Sequence, residues 1–341
     1  MNDLFDLTAY EYDLPKELIA SSPLEKRDDS RLMLVDRASG NLSEMPFGDL
    51  LDWTGPGDQF IFNDTKVIKA RLQGKKETGA NVEIFLLKNL EALRWEVLCK
   101  PGRKVKEGHK VVFGDAFYCE VEQTLESGNK IVRFHSGGNF DELLQKYGSI
   151  PLPHYMGRDA AAEDEERYQT VYAKEKGALA APTAGLHFTR EMLEGMRAKG
   201  VDLQTITLHV GWGTFKPVQV QDIRSHNMHT ESFKIDASAA DRINSAWTRQ
   251  ICVGTTTCRA LESRCQNGRI FAGEGETDIF IYPSYEFKFV KTLLTNFHLP
   301  GSSLMMLVSA FGGYDLIREA YKKAVKDRYR FYSYGDAMLI L

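Results

Sequence analysis

At 341 residues the chain exceeds the roughly 250 at which a single core stops growing, so two domains are expected. With 43% hydrophobic and 26% charged residues the composition excludes a disordered or fibrous chain, and no apolar run approaches the roughly 18 residues of a membrane helix. The formal net charge of −4 excludes a global attraction to nucleic acid, so any RNA site must be a local basic patch.

Asp3, Asp6, Glu11 and Asp13 give the N-terminus the opposite character to a signal peptide. Residues 31–36 and 42–45, separated by Ala38-Ser39-Gly40-Asn41, predict a strand, a tight turn and a second strand. Short runs rich in Val, Ile, Phe and Trp follow at 59–62, 82–88, 95–100, 110–113, 117–122 and 131–134, punctuated by glycine turns, and predict a small all-β barrel or sandwich. Helical periodicity over 139–147 then meets Ile150-Pro151-Leu152-Pro153, which cannot be a helix interior, so a domain boundary is expected near 150. Beyond it, helical patterns at 189–199, 237–248, 256–265 and 313–325 alternate with strand-like runs at 203–210, 251–254, 278–282 and 288–294, the signature of an α/β layer arrangement. The helix at 189–199 is the best marked, with Thr189 as N-cap, Met192 and Met196 on one face and Gly200 just past its end. Cys99, Cys119, Cys252, Cys258 and Cys265 form an odd set with no CxxC pair, which fits a reducing compartment, so the cytoplasm is expected.

Five of the eight histidines fall between 178 and 300 among Gly, Thr and Pro: His187, His209, His226, His229 and His298. Polar groups in loops at strand ends often build sites on α/β sheets. His226, His229 and Glu231 have a spacing that could reach one zinc ion, but no second ligand pair accompanies them. A hydrogen-bonded structural residue is the plain alternative for each histidine taken singly. Gly211-Trp212-Gly213-Thr214 and Gly254-Thr255-Thr256 match neither GxGxxG nor the P-loop. The second of these lies where a strand hands over to a helix, a place suited to a carboxylate or phosphate and equally to a plain cap. Basic clusters occur at 66–71, at 100–106 on an expected hairpin near Trp95, and at 328–330; the second could grip an RNA backbone.

Tyr12-Asp13-Leu14-Pro15, Asp29-Ser30-Arg31-Leu32, Asn63-Asp64-Thr65-Lys66-Val67-Ile68, Arg167-Tyr168-Gln169-Thr170-Val171-Tyr172, the five histidine motifs, Gly254-Thr255-Thr256, Thr295-Asn296-Phe297-His298-Leu299-Pro300 and Tyr329-Arg330-Phe331 through Asp336-Ala337-Met338 carry a resemblance. Together they make the chain resemble, nearly end to end, the S-adenosylmethionine:tRNA ribosyltransferase-isomerase family of queuosine biosynthesis. Trp212 and Lys216 fall in variable slots between its motif residues. The resemblance implies a discontinuous larger α/β domain, residues 1–65 and 151–341, with a small all-β barrel, 66–150, inserted. It implies transfer and isomerisation of the ribosyl group of S-adenosylmethionine onto 7-aminomethyl-7-deazaguanine at the tRNA wobble position, with adenine and methionine released. S-adenosylmethionine is then a consumed substrate, and no metal or other cofactor is called for. Abstraction of a proton beside a sulfonium needs a base of near-neutral pKa in a desolvated pocket, which histidine supplies. His187 and His298 are the first acid/base candidates, followed by His209, His226, His229 and Glu231. Asp64, Thr183, Thr255, Thr256, Asn296, Arg31 and Lys66 are the substrate-binding candidates, and Lys100, Arg103, Lys104, Lys106 and Arg330 the tRNA-binding ones. A monomer without membrane association is expected. Two rival readings are a zinc-dependent RNA-modifying hydrolase centred on His226 and His229, and a non-catalytic RNA-binding module using the β domain.

Overall fold

The structure, a computed structural model, describes residues 3–211, 213 and 218–341, and of His154 the backbone alone. A nine-stranded mixed sheet forms the larger body. From edge to edge its strands are Gly273–Thr277, Glu231–Ile235, Asp202–Leu208, Asp58–Asn63, Arg249–Val253, Thr292–Asn296, Ala337–Ile340, Arg31–Val35 and Leu42–Pro46. The four strands from Asp202–Leu208 to Thr292–Asn296 are mutually parallel, so their C-terminal ends share one edge. Asp58–Asn63 is buried along its whole length because it lies inside this parallel run, with helices covering both faces.

The period-2 alternation of these strands sorts the core into two layers. Ile61, Ile206, Cys252, Leu293 and Met338 face one side with the helices Ala237–Ile243, Thr255–Arg264, Ser303–Gly312 and Tyr314–Lys326. Phe60, Phe62, Ile251, Val253, Leu294 and Leu339 face the other, against Arg190–Ala198, whose Met192, Leu193 and Met196 are buried. Thr189 accepts a hydrogen bond from the Met192 amide at 3.1 Å and so caps that helix as its sequence predicts.

The second body is a closed antiparallel barrel of Arg71–Lys76, Asn81–Glu91, Arg94–Lys100, Lys130–Ser136, Phe117–Thr124 and Lys110–Gly114, sealed by pairing of the first strand with the last. Gly74 permits the seal: a Cβ there would lie 2.7 Å from Val111 and 2.8 Å from the Phe113 ring. Helix Phe140–Tyr147, capped by Asn139, packs Phe140 and Leu144 against the barrel core, and Gly148–Ser149 pairs back onto the first strand.

Five sequence expectations change; in the first, the strand expected at 288–294 runs instead over Thr292–Asn296. Residues 59–62 belong to the centre of the large sheet, not to the barrel. Residues 278–282 form no strand; the strand is Gly273–Thr277, and Ile281 is buried in the core without joining a ladder. The helix from Ala237 stops at Ile243 because the Asn244 side chain turns to the backbone of Ile270, accepting from its amide and donating to its carbonyl. Residues 100–106 are not a hairpin, since the flanking strands Arg94–Lys100 and Lys110–Gly114 pair with other strands and not with each other. Trp95 is buried in the barrel and does not face that segment's solvent side.

Candidate active site

Where the four parallel strands end, their following loops diverge and leave a cleft of about 540 Å³, its open mouth included. Open α/β sheets place ligands at such a carboxyl edge. Thr183 and Ala184 form one wall, Gly254, Thr255 and Thr256 a second, and Thr295, Asn296 and His298 a third, with Tyr168, Val210, Leu304, Tyr332 and Ser333 completing it.

Asn63, at the end of the central strand, braces these loops. Its Nδ2 donates to the Leu208 carbonyl at 2.9 Å and to Thr256 Oγ1 at 3.3 Å, and its Oδ1 accepts from the Leu208 and Thr65 amides. Gly254 takes φ +91°, a conformation natural to glycine, to turn the chain from strand into helix Thr255–Arg264, and no side chain caps that helix's first turn. Its leading amides therefore present donors and the positive end of the helix dipole beside the cleft.

His298 is buried, with Nε2 3.1 Å from Thr295 Oγ1, while its backbone is pinned on both sides: its amide donates to the Tyr321 hydroxyl at 2.9 Å, and its carbonyl accepts from Tyr12. Burial pushes its pKa down to about 3, so the ring is neutral at pH 7. His187 is also buried, stacked on Phe47, with Nδ1 2.7 Å from Ser30 Oγ. Burial brings it down to about 4; the Asn296 amide opposes that shift, and Arg27 and Arg330 add to it. His187 lines an adjoining opening that shares Ser333 with the cleft.

These two rings bind fewer protons folded than unfolded, because their folded pKa values lie below the ordinary 6.5. Their contribution to stability is complete above 6.5 and is lost as the pH falls toward 4 and then 3, by up to about 1.4 kcal/mol per pH unit for each ring. Urea unfolding at a series of pH values should show a shallower acid loss in a His187→Asn/His298→Asn double variant than in the wild type.

The other candidates lie elsewhere. His209 sits 2.8 Å from Thr65 Oγ1 through Nδ1, and Gly177 is bare against its ring, where a Cβ would come within 2.9 Å. Burial lowers the His209 pKa while Asp64 and Glu175 oppose the shift. Asp64 accepts from Thr207 Oγ1 at 2.7 Å and has its pKa raised by burial. Lys66 lies on the ribbon where Thr65–Val67 pairs with Glu175–Ala178, outside the cleft. His226 packs edge-on against Phe280, its pKa lowered by burial and then by His229. Glu231 is buried and committed: Oε1 accepts from the Gly211 amide at 2.9 Å and Oε2 pairs with Arg259. Among the described residues no group of three His, Cys, Asp or Glu could hold a metal ion. Arg31 pairs with Glu44 at 2.6 Å, lies over the Tyr329 ring and lines neither opening. Arg330 donates to the Ser22 carbonyl. The side chains of Lys100, Arg103, Lys104 and Lys106 are exposed at one end of the barrel strand Arg94–Lys100. Trp212, Thr214 and Lys216 of the glycine turn and its flank lie outside the described residues.

Sequence reasoning quoted Asn63 and Tyr168 only as motif residues and named neither them nor Tyr332 and Ser333 as site residues. Tyr168 is fully buried, its hydroxyl beside Ser333 and the Ala181 backbone, and Tyr332 holds φ +74° with Tyr155 edge-on at 4.0 Å. A non-glycine residue in that region costs on the order of 1–3 kcal/mol and clusters at functional sites. The available signal was tyrosine set in polar turn sequence, without core periodicity.

A doubly covered α/β sheet with a desolvated histidine and helix-terminal donors at its carboxyl edge, joined to a separate barrel, defines a two-domain α/β enzyme. The family model described as "Queuosine biosynthesis protein" matches residues 7–340, and the chain belongs to that family. It is 51% identical over 98% of its length to the S-adenosylmethionine:tRNA ribosyltransferase-isomerase of Symbiobacterium thermophilum, covering 99% of that protein. It is 49% identical over 97% of its length to the protein of that name from Clostridioides difficile, covering 98% of it. The crystal structure of S-adenosylmethionine tRNA ribosyltransferase from Thermotoga maritima, 36% identical, aligns over 98% of this chain and 100% of its own with a TM-score of 0.56.

Proposed function

We propose that this chain transfers and isomerises the ribosyl moiety of S-adenosylmethionine onto 7-aminomethyl-7-deazaguanine at the wobble position of tRNA, giving epoxyqueuosine-tRNA, adenine and methionine. Relatives at about half identity over the whole chain carry the corresponding name. The observation that carries the reading is the pairing of a buried, neutral His298 with the uncapped first turn of Thr255–Arg264 in one cleft.

Each half of that pairing matches a demand of the reaction. The methionine carboxylate is an anion, and the amides at Thr255 and Thr256 are placed to receive it. Thr183 and Asn296 on the other walls meet the ribose. The C5′ proton beside the sulfonium is acidified by that charge, and an uncharged imidazole shielded from water can remove it. His298 takes this role because its ring stands unprotonated at pH 7 in the cleft, although burial makes it a weaker base than the near-neutral group the step ideally uses. His187, one opening away, takes the second: it manages the proton on the departing adenine or on the incoming amine. His209 and Asp64 hold the strand ends, and Glu231 orders the segment around Gly211.

In this reading residues 1–65 and 151–341 form the catalytic domain, and the barrel of 66–150 helps to hold tRNA with Lys100, Arg103, Lys104 and Lys106. S-adenosylmethionine is spent as a substrate, with no other cofactor required. We place the enzyme in the cytoplasm as a monomer. No helix of the described residues is long and apolar enough to cross a membrane, and the exposed large hydrophobics among them are Leu90, Val112 and Phe271.

The test is incubation with S-adenosylmethionine and tRNA bearing the aminomethyl-deazaguanine, with mass spectrometry of the small products and of the digested nucleoside. Adenine, methionine and a ribosyl-derived mass gain on the base are expected. Formation of S-adenosylhomocysteine with a methylated nucleoside would replace this reading by methyl transfer.

A further inference from the structure

The opening beside the histidine cleft is framed by Arg27 and Arg167, with Lys26 exposed at its edge and Ser30, His187 and Ser333 on its walls. The two guanidinium groups are held by backbone carbonyls alone. Arg27 donates to the carbonyls of Leu186 at 3.1 Å, Glu166 at 2.9 Å and Arg167 at 3.5 Å. Arg167 donates to those of Leu24 at 2.7 Å and Glu25 at 3.0 Å, and its Nε is buried with no partner. Of the neighbouring carboxylates, Asp164 is engaged with Arg158, Glu165 with Lys69, and Asp336 with the amides of Arg31 and Arg330; Glu166 acts on Arg27 only through space, and burial and Arg167 together outweigh it. Arg330 stands close by, its Nη1 also buried without a partner.

Cations partly withdrawn from water and only partly offset, as Arg27 is by Glu166, are costly, and Arg167 keeps one buried N–H without an acceptor. A guanidinium fork answers to an oxyanion, and two forks beside a lysine suit a phosphate better than a carboxylate. The methionine carboxylate already has a separate seat at the uncapped helix turn. We infer that the opening between Arg27 and Arg167 seats a phosphodiester of the RNA strand, anchoring it where its base enters the adjoining histidine cleft. The identity of the strand as tRNA rests on the ribosyl-transfer reading. Ser333, common to both openings, sets the anchored phosphate next to the reacting base. A phosphate there would also offset the positive field of Arg27 and Arg330 on His187.

The experiment measures tRNA affinity against salt for the full chain, for Arg27→Gln, and for Lys26→Gln, whose exposed position spares the fold. In parallel, neutral methylphosphonate linkages are scanned through the anticodon loop with the wild-type protein. Each lost phosphate contact on a single strand lowers the slope of log Kd against log salt by about 0.7. One linkage should produce that drop in the wild type and none in Arg27→Gln, Lys26→Gln should weaken tRNA binding severalfold, and S-adenosylmethionine affinity by calorimetry should stay within about twofold. A fall in S-adenosylmethionine affinity with an unchanged salt slope would mark a carboxylate site and overturn the inference. A scan in which no linkage changes the wild-type slope would overturn it as well, leaving the arginines as loop staples. Wild-type protein that binds tRNA with the expected linkage effect yet releases no adenine would sink the ribosyl-transfer reading and leave the phosphate seat standing.

Discussion

Replacing His298 with asparagine is expected to slow adenine release by about 10²- to 10⁴-fold, the usual contribution of a positioned acid/base group. The ring is buried, neutral at pH 7 and oriented at both ends, by Thr295 at Nε2 and by Tyr12 and Tyr321 at the backbone. Because Tyr12 and Tyr321 bind backbone atoms, they should hold the asparagine in the same place, and the loss should fall on kcat with little change in KM for S-adenosylmethionine. Thr295→Val removes only the hydroxyl that orients the ring, and should cost less, on the order of tenfold, while leaving the imidazole in place. A His298→Asn enzyme whose kcat stays within threefold of the wild type would make this histidine a structural one, and would shift the role of base to His187.

The location of this chemistry was legible in the sequence to different depths. Period-2 runs and glycine turns exposed the barrel, because its strands have one face inside and one outside. They misassigned 59–62, because a strand buried on both faces shows no alternation to read. The apolar run of Ser303–Gly312 was visible only as hydrophobicity; it is a helix buried nearly all round and so has no polar face to announce its period. Thr183, Thr255, Thr256, Asn296 and His298 meet in one cleft because one turn and the ends of two strands, Arg249–Val253 and Thr292–Asn296, reach the same sheet edge, a convergence that spacing along the chain cannot encode. His226, His229 and Glu231 are close in sequence, yet Glu231 turns inward to Arg259. The basic residues most exposed in the sequence, 100–106, drew attention as a charge run. Arg27 and Arg167 are 140 residues apart and become a pair only through folding.

Glu231→Ala should be among the most damaging single changes for stability, about 3–5 kcal/mol by urea unfolding at pH 7. The carboxylate and Arg259 are both almost wholly withdrawn from solvent, and Arg259 already has one buried nitrogen, Nη2, without a partner. Removing the carboxylate leaves an unneutralised guanidinium beneath the sheet, on helix Thr255–Arg264, and releases the Gly211 amide that Oε1 accepts. Arg259→Met alone strands the carboxylate instead, and should cost a similar amount. The double variant Glu231→Leu/Arg259→Met removes both charges together, so it should be markedly more stable than Glu231→Leu or Arg259→Met alone, with a coupling energy above about 1 kcal/mol in that cycle. Strict additivity of the two single costs would show that each group acts through other contacts. Because Gly211 follows Val210 of the cleft wall, the double variant should recover stability without recovering full activity: its core would be filled, but the amide of Gly211 would have lost its acceptor.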